Sequence, residues 1–96
     1  MKIEYFLIDM LSKNKIKYIR SLDLKKNRKE EQVFVAEGHK LVGDLLGHFS
    51  CHLLIATHTW LENHPHIKAH EVIEVTSEEL TRASLQKTPQ DVLAIF

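Results

Sequence analysis

The sequence predicts a single α/β domain, a sandwich in which helices pack on a largely parallel or mixed sheet. Apolar segments of about five residues, typical of strands, alternate with amphipathic segments of helical period. The chain of 96 residues suits one domain, and its hydrophobic fraction of 44% is enough for one core. We therefore expect one domain over residues 1–96, in which residues 1–11 are an N-terminal extension or a further helix.

The first third of the chain predicts a helix, a loop and a strand. Ser12 is a plausible N-cap for a helix from about 13 to 24. The buried face of that helix repeats at three-residue steps and consists of Ile16, Ile19 and Leu22. Residues 25–32 are polar and indicate a loop, whereas 33–37 indicate a short strand. Gly38 then permits a sharp turn.

The rest of the chain continues this alternation. A helix is predicted over about 39 to 48, and its buried stripe consists of Leu41, Val42, Leu45 and Leu46. Further strands are predicted at 51–57, 71–76 and 92–96. Thr57 or Thr59 could cap a short helix over 59–64, which Pro65 ends.

A last helix is predicted before the final strand. Thr76 and Glu79 have the spacing of a capping box, and Ser77 is an alternative cap. The helix that they open runs to about Leu85. Residues 87–90 then form a loop that leads into the closing strand.

The charge of the chain is distributed unevenly, although the formal net charge is zero. Residues 13–29 hold eight cations and one anion, and the remaining residues hold five cations and twelve anions. A segment with this much positive charge can bind a polyanion locally. The charge pattern alone is equally consistent with a solvated helix face followed by a loop.

No catalytic or metal site follows from the spacing of the reactive residues. The seven histidines match no familiar zinc pattern, even where His64, His66 and His70 lie close together. Cys51 is the single cysteine, so it forms no internal disulfide, and its place at the start of an apolar strand predicts a buried thiol. A reducing, cytoplasmic location is expected. The chain contains neither a glycine-rich phosphate loop nor an apolar run of about 20 residues that could span a membrane.

Two aromatic residues and one arginine outside the basic segment could contact RNA. Trp60 and Phe49 could stack on bases, but their apolar neighbours favour packing in the core. Arg82 could contact phosphate, be solvated, or pair with Glu78 four residues earlier.

Two blocks of the sequence resemble a known family. The segment NKIKYIRSLDLKKNRKEEQVFVAEGHKLVGDLL combines a lysine-rich helix, a basic stretch with Lys25, Lys26 and Arg28, an apolar strand ending in Glu-Gly, and a helix with Lys40, Leu41 and Val42. The segment SLQKTPQDVLAIF adds a Thr-Pro-Gln loop and a closing strand. Together they resemble the N-terminal substrate-binding domain of the SpoU-type (TrmH-like) RNA ribose 2′-O-methyltransferases, over about residues 12–96. The family often has Gly after Thr-Pro-Gln, where this chain has Asp91.

The resemblance implies a fold, a cofactor and an assembly. The fold would be the three-layer α/β/α sandwich with a small mixed sheet that kink-turn-binding ribosomal proteins share. In the family a knotted catalytic domain follows, binds S-adenosylmethionine and forms a homodimer. None of its motifs occurs in these 96 residues, so we expect this chain to bind no cofactor itself.

The resemblance also implies a docking site for structured RNA, either ribosomal or transfer RNA. The residues predicted to contact its phosphates are Lys13, Lys17, Arg20, Lys25, Lys26, Arg28 and Lys40. Glu37 and Gly38 would form a structural turn, in which Glu37 either hydrogen-bonds loop amides or pairs with a cation. Thr88 and Gln90 could touch RNA or act as a hinge.

Two other functions fit the same features. One is a stand-alone RNA-binding module of the kink-turn class, which would be expected to have a Gly-Asn-rich loop where this chain has Glu-Gly-His-Lys. The other is a protein-interaction domain whose basic edge binds an acidic partner. The salt dependence of RNA binding distinguishes the RNA functions from the protein-interaction function.

Overall fold

The computed structural model describes residues 11–96, so the expectation for the N-terminal residues 1–10 lies outside the described residues. Four strands form one mixed sheet in the order β1-β4-β2-β3. They are β1 (Val35–Glu37), β2 (Leu53–Ala56), β3 (Val72–Glu74) and β4 (Val92–Ile95). β4 is antiparallel to β1 and to β2, whereas β2 is parallel to β3. The prediction of a mixed sheet is therefore confirmed.

Helices cover both faces of this sheet. They are α1 (Lys13–Ser21), α2 (Lys25–Glu31), α3 (His39–Leu46), α4 (His58–Glu62) and α5 (Ser77–Ala83). Apolar residues of α1 and α5, such as Ile19 and Leu80, pack with Ile55 and Leu93 on one face of the sheet. On the other face, Val42 of α3 and Trp60 of α4 pack with the alternate strand residues. The predicted α/β/α sandwich is confirmed.

The helix caps follow from short polar side chains in the sequence. The Ser12 hydroxyl accepts a hydrogen bond from the Lys15 N–H at the start of α1. Thr57 caps α4 through the Trp60 N–H. Thr76 and Glu79 form the predicted capping box of α5, in which each side chain accepts from the other residue's backbone N–H. Such caps stabilise helices of five to nine residues, which propensity alone would leave marginal.

The prediction of a loop over residues 25–32 was wrong, because Lys25–Glu31 form α2. The segment consists mostly of Lys, Arg and Glu, which are good helix formers, and it contains no Gly or Pro. Contacts with the end of α1 add to this. Arg28 Nη1 donates to the carbonyls of Leu22 and Asp23 at 2.8 and 2.9 Å, and Asn27 Nδ2 donates to Ser21 O at 2.8 Å. Carbonyls at the end of one helix are therefore bonded by side chains of the next.

Two further packing predictions were wrong. Leu41 was predicted in the buried stripe of α3 but is 49% exposed, whereas Val42, also predicted there, is buried. Phe49 was predicted in the core but is 52% exposed; its ring lies edge-on to that of Phe34, with the ring centroids 5.6 Å apart. Trp60 and Cys51 are buried, as predicted.

The turn between β1 and α3 requires a glycine. Gly38 has φ 99° and ψ 144°, a conformation that residues with a Cβ rarely adopt. Its N–H donates to Val92 O at 3.0 Å, so the turn is bonded to the first residue of β4.

Replacing Gly38 by Ala should lower the free energy of unfolding by about 1–3 kcal/mol, because the strained backbone conformation remains after the change. Gly43→Ala is the matched control. Gly43 lies inside α3, and an added Cβ would meet nothing within 4 Å there, so this change should raise stability by about 0.5–1 kcal/mol. Urea denaturation measures both. Equal effects of the two substitutions on stability would contradict the conclusion that the turn requires a glycine at position 38.

Cys51 should be chemically inert in the folded protein. Burial raises the pKa of its thiol to about 11 and outweighs the lowering effect of the Leu53 backbone. At pH 8 the thiolate is then roughly a hundredfold scarcer than for an ordinary cysteine. We expect a disulfide reagent to modify Cys51 slowly in buffer and rapidly in guanidinium chloride. Rapid modification in buffer would show that the thiol is accessible.

Candidate nucleic-acid interface

The basic segment folds as two consecutive helices, here called the basic hairpin, which consists of α1, residues 22–24 and α2. Five of its lysines are exposed: Lys13, Lys17, Lys25, Lys26 and Lys29. None of these amines forms an ion pair with a carboxylate of residues 11–96. Lys15 differs, since its Nζ lies 2.9 Å from Glu71 Oε1. The hairpin thus presents at least five cations to solvent on a helical framework.

The two arginines of the hairpin also hydrogen-bond the protein itself. Arg28 is half-buried, and its Nη1 bonds the backbone at the end of α1. Arg20 Nη1 donates to Arg82 O at 3.3 Å and to Ser84 O at 3.1 Å, at the C-terminal end of α5. A cation at this end of a helix is favourable because the carbonyls there carry partial negative charge. Both guanidinium groups therefore bond the protein's own backbone.

Lys40 lies apart from the hairpin, in the first turn of α3. Its side chain is exposed, and Gly38 provides no side-chain cap for the helix. Lys40 lines an open cavity of about 390 Å³ together with Glu37, Asp44 and Gln90. This brings Lys40 and Gln90, two residues that the sequence singled out, to one place.

Glu37 is held by the loop that precedes β4. Its carboxylate is buried, with the residue 8% exposed, and Oε1 accepts from Ser84 Oγ at 2.6 Å. Oε2 accepts from the Leu85 N–H at 2.9 Å. Of the two alternatives for Glu37, the structure has the hydrogen bond to a loop amide, and no cation of residues 11–96 pairs with it.

Three features of this region did not follow from the sequence analysis. Lys29 belongs to the exposed lysines, and its place in the charge run was the available signal. Tyr18 is partly exposed between α1 and α2, where its hydroxyl donates to Glu31 Oε1 at 3.4 Å; this contact and burial raise its pKa, burial most. Ser84 had no signal, because its role depends on Glu37, which is distant in the sequence.

The remaining candidate residues form no separate site. Arg82 makes no ion pair with Glu78 or any other carboxylate in the part of the chain that the structure describes. Among residues 11–96, no three His, Cys, Asp or Glu side chains are placed to hold a metal ion. His58 lies between Glu74 and Glu62, whose carboxylates raise its pKa, with Glu74 the main cause. No described helix is long and apolar enough to cross a membrane.

Comparisons with known proteins agree with the resemblance. Residues 13–94 match the family model of the MRM3-like substrate binding domain. A comparison with curated proteins finds no match. A solved structure from Porphyromonas gingivalis, assigned to the TrmH family of RNA methyltransferases, has 41% sequence identity and a TM-score of 0.82 over 91% of this chain.

An rRNA methyltransferase from Sinorhizobium meliloti has 30% identity and a TM-score of 0.72 over 91% of this chain. A structure of an rRNA methyltransferase from that organism with bound AdoMet has a TM-score of 0.71 at 30% identity, also over 91% of this chain. The chain spans 35% of the Porphyromonas protein and 34% of each Sinorhizobium protein. By its fold, its sequence and the matched model, this chain belongs to the family of MRM3-like substrate-binding domains.

Proposed function

We propose that this chain docks structured RNA for a TrmH-like RNA ribose 2′-O-methyltransferase whose catalytic domain lies outside these residues. The observation that carries the proposal is the basic hairpin, with five exposed lysines that no carboxylate of residues 11–96 neutralises. Such lysines attract phosphates and release the counterions that surround RNA. The rRNA methyltransferases among the similar structures favour ribosomal RNA as the substrate over transfer RNA.

The hairpin suits folded RNA better than a flexible strand. Lys13 and Lys17 are one turn apart on α1, as are Lys25 and Lys29 on α2, so each pair lies on one side of its helix. Because the helices hold these amines at fixed spacing, they match phosphates whose spacing is also fixed by RNA structure. The shape of the RNA, rather than its base sequence, then determines selectivity.

Lys40 provides a second contact in this proposal. The backbone N–H groups in the first turn of α3 have no side-chain cap, and Lys40 adds a full positive charge beside them. Helix N-termini of this kind favour phosphate groups. Gln90, at the same cavity, would donate to or accept from the RNA backbone.

The methyl transfer itself belongs to the catalytic domain. In the family, S-adenosylmethionine bound there supplies the methyl group, and that domain forms a homodimer. We propose a cytoplasmic location for this chain. The residues of this chain include no glycine-rich loop after a strand that would hold such a cofactor. The task of this domain is therefore to bind the RNA and to orient a ribose.

The test is to remove three lysines of α2 together, as Lys25→Ala, Lys26→Ala and Lys29→Ala. We expect affinity for a bulged ribosomal RNA hairpin to fall, and the slope of log K against log salt to flatten by about two to three, since each lost phosphate contact contributes slightly less than one. Filter binding over a salt series measures both. Arg28 stays unchanged because it holds α2 in place.

Lys68→Ala is the matched control, because Lys68 is exposed and lies beside α3 on the opposite face of the sheet. It should leave affinity and slope unchanged. If the triple variant binds the RNA hairpin as tightly as the unaltered chain at every salt concentration, the basic hairpin of the protein is not the RNA surface. If the unaltered chain then binds an acidic polypeptide and the triple variant does not, the protein-interaction alternative is favoured.

A further inference from the structure

Ser84, at the end of α5, joins three parts of the fold. The residue is 4% exposed. Its hydroxyl donates to Glu37 of β1 at 2.6 Å and accepts from the Gln86 N–H at 3.0 Å. Its carbonyl accepts from Arg20 of α1 at 3.1 Å, and its N–H donates to Leu80 O at 2.8 Å. Every polar group of Ser84 is thus satisfied, and buried groups bonded in this way permit little movement.

The loop over residues 85–91 is attached at both ends to the turn between β1 and α3. At its start, the Leu85 N–H donates to Glu37 Oε2 at 2.9 Å. At its end, the Gln90 side chain packs on Gly38, where an added Cβ would lie 3.5 Å from Gln90 Cγ. The loop carries exposed Lys87, and it lies beside the cavity that Lys40 lines. Two neighbouring residues, Glu37 and Gly38, therefore fix where this loop runs.

Arg20 connects the same point to the basic hairpin. Its Nη1 donates to both Arg82 O and Ser84 O, so α1 is bonded to the segment from which the loop begins. The hairpin and the loop are far apart in sequence, and the Arg20–Ser84–Glu37 chain of hydrogen bonds provides a direct link between them.

We propose that Arg20, Glu37 and Ser84 are positioning residues that hold loop 85–91, with Lys87 and Gln90, at a fixed place relative to the basic hairpin. The inference rests on the proposed RNA-docking function and adds selectivity to it. Cations held at fixed positions bind a matching folded RNA without a further cost for ordering them. A flexible single strand gains little from this arrangement, because it can adapt to the loop whether the loop is held in place or mobile.

Ser84→Ala tests the proposal without changing any charge. In the RNA-free protein, we expect the Leu85 and Gln86 amides to exchange hydrogen roughly tenfold faster or more, while the amides of β2 keep their rates. Ser50→Ala is the matched control, since Ser50 is exposed and makes no side-chain hydrogen bond within residues 11–96. Unchanged exchange at Leu85 and Gln86 would overturn the positioning role.

The binding test compares a bulged RNA hairpin with an oligouridylate of equal length. Ser84→Ala should bind the hairpin roughly tenfold more weakly, bind the oligouridylate as the unaltered chain does, and keep the same salt slope. An unchanged affinity for the RNA hairpin, an equal loss of affinity for both RNAs, or a flatter salt slope would each overturn the proposal.

Arg20→Lys provides a second variant if Ser84→Ala folds poorly. Lysine retains the charge but cannot reproduce the planar group that bonds two carbonyls. A positioning role predicts weaker binding of the RNA hairpin, whereas full affinity with lysine would show that only the charge matters. The lysine triple variant separates failure of the positioning role from failure of the RNA-docking function. If the triple variant loses RNA binding while Ser84→Ala and Arg20→Lys keep full affinity, the positioning role alone is overturned.

Discussion

The pairing of β4 with two strands at once is the constraint on which the rest of this structure depends. Ile95 faces Val35 of β1 on one side and Leu53 of β2 on the other. In the described sheet, β1 has no other partner. The turn at Gly38 is therefore held by β4, since the Gly38 N–H donates to Val92 O and β1 pairs with no other strand of the described sheet. Because these contacts join residues 35–37 to residues 92–95, which are distant in the sequence, we expect them to form later in folding than the local helices.

Arginine and lysine have different roles in this molecule, and their chemistry explains the difference. The planar guanidinium of Arg20 or Arg28 bonds two carbonyl oxygens at once, which an ammonium group cannot do with the same geometry. The five exposed lysines of the hairpin carry a compact charge on a flexible stem and remain in solvent. A cation count alone would assign all of them to RNA. The contacts show that Arg20 and Arg28 also stabilise the fold, which a count of charges does not reveal.

The sequence predicted what depends on neighbours along the chain. The strands lie within about two residues of their predicted places because alternation and burial are local patterns, and the Thr76 capping box follows from spacing alone. The contacts that were missed join distant residues or consecutive elements. α2 is stabilised by Arg28 bonded to the end of α1, and Ser84 acquires its role from Glu37. Phe49 contacts Phe34, and both rings lie at the surface.

Asp91, where the family often has glycine, fits the same picture of a fixed loop. Gln32 is the one residue other than glycine with positive φ in residues 11–96, so Asp91 adopts ordinary backbone angles and the turn needs no glycine. Its carbonyl accepts from the Thr57 N–H at 3.1 Å, which bonds the end of the loop to the cap of α4. A loop with Pro89 and no glycine has fewer conformations to lose on folding. The loss of conformational entropy that the hydrogen bonds of Glu37 and Ser84 must offset to hold this loop in place is therefore smaller.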